Sequence, residues 1–389
     1  MAVEPVDFLV GPVSRGAAAV LGGMTLAYAG LTGVYAVRGL RAQLDDRWSA
    51  VVATAVMALL GITLWRDGAR LLPAPFSIFV LVVALAGIAL TLTYTLGRYQ
   101  ERIERFKVQF GERLSHLLDA IVAEERQAEW ERLRTSWKPT AEERRKTPHL
   151  LMGLFLLFYA GLGYFILRGV WDLLYGADAA ILTLDGGEGI RNLYLASHSG
   201  ALAAGQVFSL TCLLGLLYVL VPTELLRLKY PELSYPFKSL ILTRLRNRER
   251  GLFGAHYYLA AATPLAVLWL TADPARWDAT VPAAAALLVV TVFADAASAL
   301  VGIRYGERKF LHNARKSYAG AVGGTVVAFV ATLPLLGLPG ALASAAVFLF
   351  IDLIAPVPIF VSDNLLYPVT LSIVYLAMVD SIQPWFPYY

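Results

Sequence analysis

Residues 280–309 read TVPAAAALLVVTVFADAASALVGIRYGERK. From 280 to 303 the only ionisable side chain is Asp295, and the run exceeds the roughly 20 apolar residues needed to cross a hydrocarbon core near 30 Å thick. It does not alternate as a barrel strand would, so a helix, which satisfies its own backbone polar groups, is the element that can carry it through lipid. A charge at membrane depth costs a few kcal/mol, so Asp295 is expected to face protein or a watery cavity and to have a task. Just beyond the run, apolar residues give way to Gly302, Arg304, Gly306, Arg308 and Lys309.

The same pattern recurs outward in both directions. The chain has 389 residues, 58% hydrophobic and 16% charged, with a mean hydropathy of +0.60. Soluble domains carry roughly 25% charged residues, and a water-soluble fold could not hide this much apolar surface. Apolar runs fall near 16–38, 49–66, 73–96, 148–168, 201–221, 254–271, 280–303, 318–337, 340–358 and 363–382. The expected fold is all-α, a polytopic transmembrane helical bundle of about ten spans. Residues 1–8 are acidic and only Arg15 precedes the first run, which is not the pattern of a signal peptide.

Lys and Arg collect around 38–47, 98–146, 227–250 and 304–316, whereas 169–200 and 272–279 are acidic or neutral. Ten crossings place all four basic stretches on one side, the cytoplasm by the positive-inside rule, with only Arg66 and Arg70 in a short loop against it. Arg greatly outnumbers Lys, which points to a GC-rich, prokaryotic source and a plasma membrane. The net charge of +4 suits attraction to anionic lipids and polyphosphates. Nucleic acid is not expected as a partner, because no soluble basic domain exists to hold it. The one cysteine, Cys212, lies inside a span, so no disulfide framework or Cys-ligated metal is expected.

Three regions follow. Residues 1–97 hold three spans of no evident role, 98–143 form a polar helical stretch, and 144–389 hold seven spans with nearly all the suggestive polar motifs. In the middle region Ile103, Phe106, Phe110, Leu114, Leu117 and Ile121 step by three or four and share one helical face. That face suits either a helix lying on the bilayer or bundle, or a coiled-coil dimer seam over 103–121.

Several motifs fall at the cytoplasmic ends of spans. Asp295 is a candidate metal ligand; an Asp paired with Arg for assembly is the plainer alternative. Gly302 and Gly306 let either helices or phosphate oxygens approach a backbone closely. Arg315-Lys316-Ser317, followed by Gly320, places a cation at a helix N-terminus, where unpaired N–H groups also face an anion. Basic residues flank cytoplasmic helix ends generally, and the acid one loop away is what distinguishes this pair. Asp363 and Asn364 suit a helix N-cap or a magnesium site equally. Arg145, Lys146 and His149 open the fourth span, and no two histidines have zinc spacing.

In this order Asp295, Gly302, Gly306, Lys316-Ser317, Gly320 and Asp363-Asn364 resemble the motif series of the dolichol kinase, phytol kinase and CTP-dependent diacylglycerol kinase family. Arg145-Lys146-x-x-His149, Glu224-x-x-Arg227 and Gly254-x-x-Tyr257-Tyr258 look similar too, and the resemblance covers about 144–377. The chain has Ala294 where members carry Gly, and Ala299 where they often carry Ser or Asp. The resemblance implies transfer of the CTP γ-phosphoryl group to the hydroxyl of a lipid alcohol. It implies Mg2+ held by Asp295, Asp363 and Asn364, and phosphates met by Lys316, Arg304, Arg145 and Lys146 with Gly302, Gly306, Ser317 and Gly320. Asp295, Asp363 and His149 are each candidates for the acceptor of the hydroxyl proton. A phosphatidate cytidylyltransferase-like synthase and, from another class, a membrane transporter share the setting.

Overall fold

The computed structural model describes residues 12–44, 46–72, 76–102, 198–229, 252–273, 276–311, 313, 316–355 and 361–383. Among them the regular elements are helices: α1 (Pro12–Arg41), α2 (Arg47–Leu71), α3 (Phe76–Arg102), α4 (His198–Lys229), α5 (Ala255–Leu270), α6 (Trp277–Val289), α7 (Asp295–Tyr305), α8 (Tyr318–Ile354) and α9 (Asp363–Ala377). A π-turn, Val290–Ala294, joins α6 to α7, and a 3-10 turn, Val379–Ser381, follows α9.

Among the described residues five segments are long and apolar enough to cross a membrane: Ser14–Arg41, Arg47–Ala69, Ser209–Leu228, Ala279–Tyr305 and Tyr318–Ile354. Helical faces that would be untenable in water agree with this. Val322, Val326 and Val330, four apart on α8, are each more than half exposed, as are Leu31 on α1 and Ile62 and Trp65 on α2. The other expected spans fall into three groups. The run at 148–168, with the amphipathic stretch beyond 102, lies outside the described residues. Helices α5 and α9 have 16 and 15 residues, short of a full crossing, whereas α3 has 27 residues, long enough for one. The runs at 318–337 and 340–358 are the two arms of α8, broken at Gly337.

That element is a folded hairpin. Gly337 has φ 71° and ψ −177°, a combination that only glycine adopts readily, and Pro334 and Pro339 flank it. A straight helix would hold residues 316 and 352 about 54 Å apart at roughly 1.5 Å per residue, yet Lys316 and Asp352 are hydrogen-bonded. Gly324, on the first arm, has the Phe348 ring of the second arm where a Cβ would stand. The turn is held by the Gln383 N–H, which donates to Leu336 O at 3.2 Å.

The first three helices pack into the same body as the rest. Gly22 on α1 meets the Trp65 backbone of α2, and Gly61 on α2 meets Leu26, so these helices approach almost backbone to backbone. Tyr218 on α4 donates to Leu21 O at 2.8 Å and shares a 2.6 Å hydrogen bond with Thr25, both on α1. At one end of the bundle Gly39 touches Leu252, and Ser49 Oγ accepts from the Ser362 N–H at 2.9 Å. Described residues of three basic stretches meet at that end: Gly39, Arg227, which donates to Leu252 O, and Lys316, which pairs with Asp363 beside Ser362.

At the same end Arg227 and Glu224, three apart on α4 and both buried, pair at 2.7 Å. Arg227 also donates to Leu252 O, and Glu224 accepts from the Gly254 N–H at 3.0 Å. Gly254 is the N-cap of α5, so the carboxylate takes one of the four donors that a helix N-terminus leaves unsatisfied. The Glu224-x-x-Arg227 and Gly254 motifs, separate in sequence, thus form one clasp.

Candidate functional site

The loop from α7 to α8 is a narrow return. Lys309 and Ser317 form an isolated antiparallel bridge, with the Phe310 N–H on Lys316 O at 3.1 Å and the Tyr318 N–H on Arg308 O at 3.2 Å. Asn313 Nδ2 donates to Ala355 O at 3.4 Å, tying the loop to the far end of the α8 hairpin. Ser317 is the N-cap of α8 in extended conformation, and its Oγ accepts from the Gly320 N–H at 3.2 Å. A Lys-Ser pair at a helix N-terminus is what the sequence predicts here, and the structure places it so.

The glycines of this region are filled on their side-chain face by protein. A Cβ on Gly306 would collide with Gly302 O and Ser317 Oγ, and one on Gly320 would lie 2.6 Å from Ser298 O. One on Gly302 would meet Ser317 Oγ at 2.9 Å, and one on Gly323 would meet the Val301 side chain at 2.9 Å. Of the two readings of the spaced glycines, close approach of α7 to α8 is the one this geometry displays. The consequence is that Lys316 is delivered against the second arm of the hairpin and the start of α9.

Lys316 Nζ lies 2.5 Å from Asp352 Oδ1 and 3.0 Å from Asp363 Oδ2. The Asp352 side chain is 3% exposed, Lys316 17% and Asp363 22%, so Asp352 is the most deeply buried member of the cluster. Burial alone would lower the lysine pKa, but the charges of Asp363 and Asp352, with a further contribution from Asp295, outweigh it and hold the ammonium above its ordinary value. Asp352 also accepts weak hydrogen bonds from Ser298 Oγ at 3.4 Å and Tyr367 OH at 3.5 Å. Tyr367 is fixed by stacking on Phe348, with ring centroids 5.0 Å apart.

Asp295 is buried at the first position of α7. Its N–H reaches Val290 O five residues back, the signature of the π-turn, a feature often found at functional sites. Its charge contributes to holding the Lys316 ammonium protonated. Asp363 is the first residue of α9, not its N-cap: Ser362 takes that place, and its carbonyl accepts from the Leu365 and Leu366 N–H groups. The capping alternative is corrected accordingly, because the Asp363 carboxylate is turned to Lys316 and to the Asn364 N–H at 3.0 Å. Asn364 is buried beside it.

Arg304 lies exposed at the end of α7 with Arg308 and Lys309 beyond it. Arg145, Lys146 and His149 lie outside the described residues. The geometry adds Asp352 and Ser298 to the site. Asp352 carried the same signal as Asp295, a lone acid in the apolar run Phe348-Leu-Phe-Ile-Asp352-Leu-Ile.

Among the described residues no group of three or more His, Cys, Asp or Glu side chains is arranged to hold a metal ion. Magnesium does not require such a cage, since it keeps several waters and is commonly held by one or two carboxylates together with substrate phosphates. The oxygen donors of Asp295, Asp352, Asp363 and Asn364 are of the kind it prefers. No protein-family model, curated protein or solved structure matches the chain.

Proposed function

We propose that this protein is a membrane-embedded, magnesium-dependent kinase that transfers the γ-phosphoryl group of CTP to the hydroxyl of a long-chain isoprenoid or other lipid alcohol. The observation that carries the reading is the convergence of Asp295, Asp352 and Asp363, from three separate elements, on Lys316. Described residues of three of the basic stretches lie at the same end, so we place it at the cytoplasmic face, where CTP is dissolved and a lipid hydroxyl sits near the headgroups.

Phosphoryl transfer asks chiefly for positioning and for neutralisation of charge on the transferring group. Lys316 is suited to the second. Its ammonium stays protonated among carboxylates, and exchanging one carboxylate for a phosphate oxygen leaves it paired throughout. Asp295 and Asp363, with Asn364, would hold magnesium against the triphosphate, and the ion would supply Lewis-acid neutralisation of the developing charge. The Ser317 cap fixes where Lys316 starts, and Arg304, exposed near it, is placed to meet an approaching polyanion. The carboxylates of Asp295 and Asp363 are each able to take the hydroxyl proton.

Purified protein in detergent, supplied with magnesium, mixed lipid alcohols and CTP labelled at the α or the γ phosphate, tests the reading. Label from the γ position in the lipid is the expected result. Label from the α position would make it a CDP-lipid synthase, and no labelled lipid would leave transport as the stronger reading of the intramembrane acids.

A further inference from the structure

The three spans before residue 98 contribute no motif to the series, yet α2 reaches the site. Ser49, in the first turn of α2 and fully buried, accepts a 2.9 Å hydrogen bond from the backbone N–H of Ser362. Ser362 is the N-cap of α9, with φ −63° and ψ 135°, and its own side chain makes no capping bond. The next residue is Asp363, whose carboxylate lies 3.0 Å from Lys316 Nζ. The start of α9 is thus hydrogen-bonded to the N-terminal region.

We infer that Ser49 is a positioning residue: by holding the Ser362 N–H it sets the place of Asp363 against Lys316, and so residues 1–97 belong to the working unit of the site. The inference rests on the kinase reading for its catalytic consequence only; the mechanical part stands on the hydrogen bond. An Asp at the first helical position moves with its backbone. A shift of the helix start by about 1 Å is enough to cost a reaction a hundredfold when it misplaces a reacting group. Ser49 touches neither proposed substrate, so it acts through Asp363.

Ser49→Ala removes the acceptor, Ser49→Thr keeps it, and Ser362→Pro removes the donor at a φ that proline already favours. In the full-length protein in detergent, two quantities are to be followed: the rate at which an amine reagent labels Lys316, read by mass spectrometry, and γ-phosphoryl transfer from CTP. Ser49→Ala and Ser362→Pro should each speed Lys316 labelling about fivefold, the equivalent of roughly 1 kcal/mol for one hydrogen bond. They should lower kcat/KM for CTP by at least as much, with Ser49→Thr close to the parent in both. Unchanged Lys316 labelling in the two disruptive variants overturns the inference, as does faster labelling with unchanged transfer. Faster labelling in a protein whose parent transfers no γ-phosphate supports the mechanical link while rejecting the kinase reading, so the two failures are told apart.

Discussion

Replacing Lys316 by Met keeps most of the side-chain volume and deletes the charge shared by Asp352 and Asp363. Removing one partner of a buried ion pair typically costs 3–5 kcal/mol, because the other is left as an uncompensated charge. Here the Asp363 side chain is 22% exposed and water can solvate it, whereas Asp352, at 3% exposed, depends on Lys316 and on two weak hydrogen bonds. A loss near the lower bound, about 3 kcal/mol, is expected. Asp352→Asn alone should cost less, about 1–2 kcal/mol, since Lys316 keeps Asp363. In the double variant the buried charge is gone from both sides. Its loss should therefore fall short of the sum of the single losses by at least about 1 kcal/mol. Denaturation of the four proteins in mixed micelles, under one detergent condition, measures this coupling. Additive losses, within about 0.5 kcal/mol, would refute the pairing on which the site is built.

The lysine pairing also has a pH signature: a pKa raised on folding contributes stability that is complete below the unfolded value of 10.5 and is lost as pH rises through the higher folded one. The stability advantage of the parent over Lys316→Met should therefore be flat from about pH 7 to 9 and shrink only in stronger alkali; a decline between those two values would contradict it. Asp295→Asn, nearly isosteric and easier to bury, should leave the protein folded while abolishing γ-phosphoryl transfer. A stable variant that still turns over would remove Asp295 from the chemistry. Gly306→Ala should destabilise by about 1–3 kcal/mol, because its Cβ has no room beside Gly302 O and Ser317 Oγ. Gly215→Ala, in α4 with nothing near its Cβ, should be neutral or stabilising by up to about 1 kcal/mol in the same denaturation assay.

What sequence reasoning recovered is what local pattern encodes. Helices occur at every described apolar run, and the break near Gly337 follows from Pro334, Gly337 and Pro339 in an otherwise uninterrupted stretch. Ser317 at a helix start is legible for the same reason, since a capping serine sits next to the turn it caps. Asp352 was within reach of the rule applied to Asp295 but is embedded in the middle of an aromatic-rich run with no flanking glycines or cations to mark it. The Ser49–Ser362 hydrogen bond joins residues 313 apart and leaves no trace in either neighbourhood. The π-turn before Asp295 is likewise silent, because Val-Thr-Val-Phe-Ala suits α-helix and π-turn alike and only the packing of α6 and α7 decides between them.

That turn gives one helical rod two angular phases. A π-turn holds one residue more than the α-helical turn it replaces, so the faces of α6 and α7 are offset by about 100° from where a continuous α-helix would set them. The upstream half can be angled to suit its neighbours in the bundle while the downstream half keeps Asp295 toward Lys316 and the glycines toward Ser317. Deleting a single residue between 290 and 294 would leave every contact type available and yet turn one half out of step with the other. The helix that bears the site is therefore indexed by a count of residues, and a change of length there is a rotation rather than a shortening.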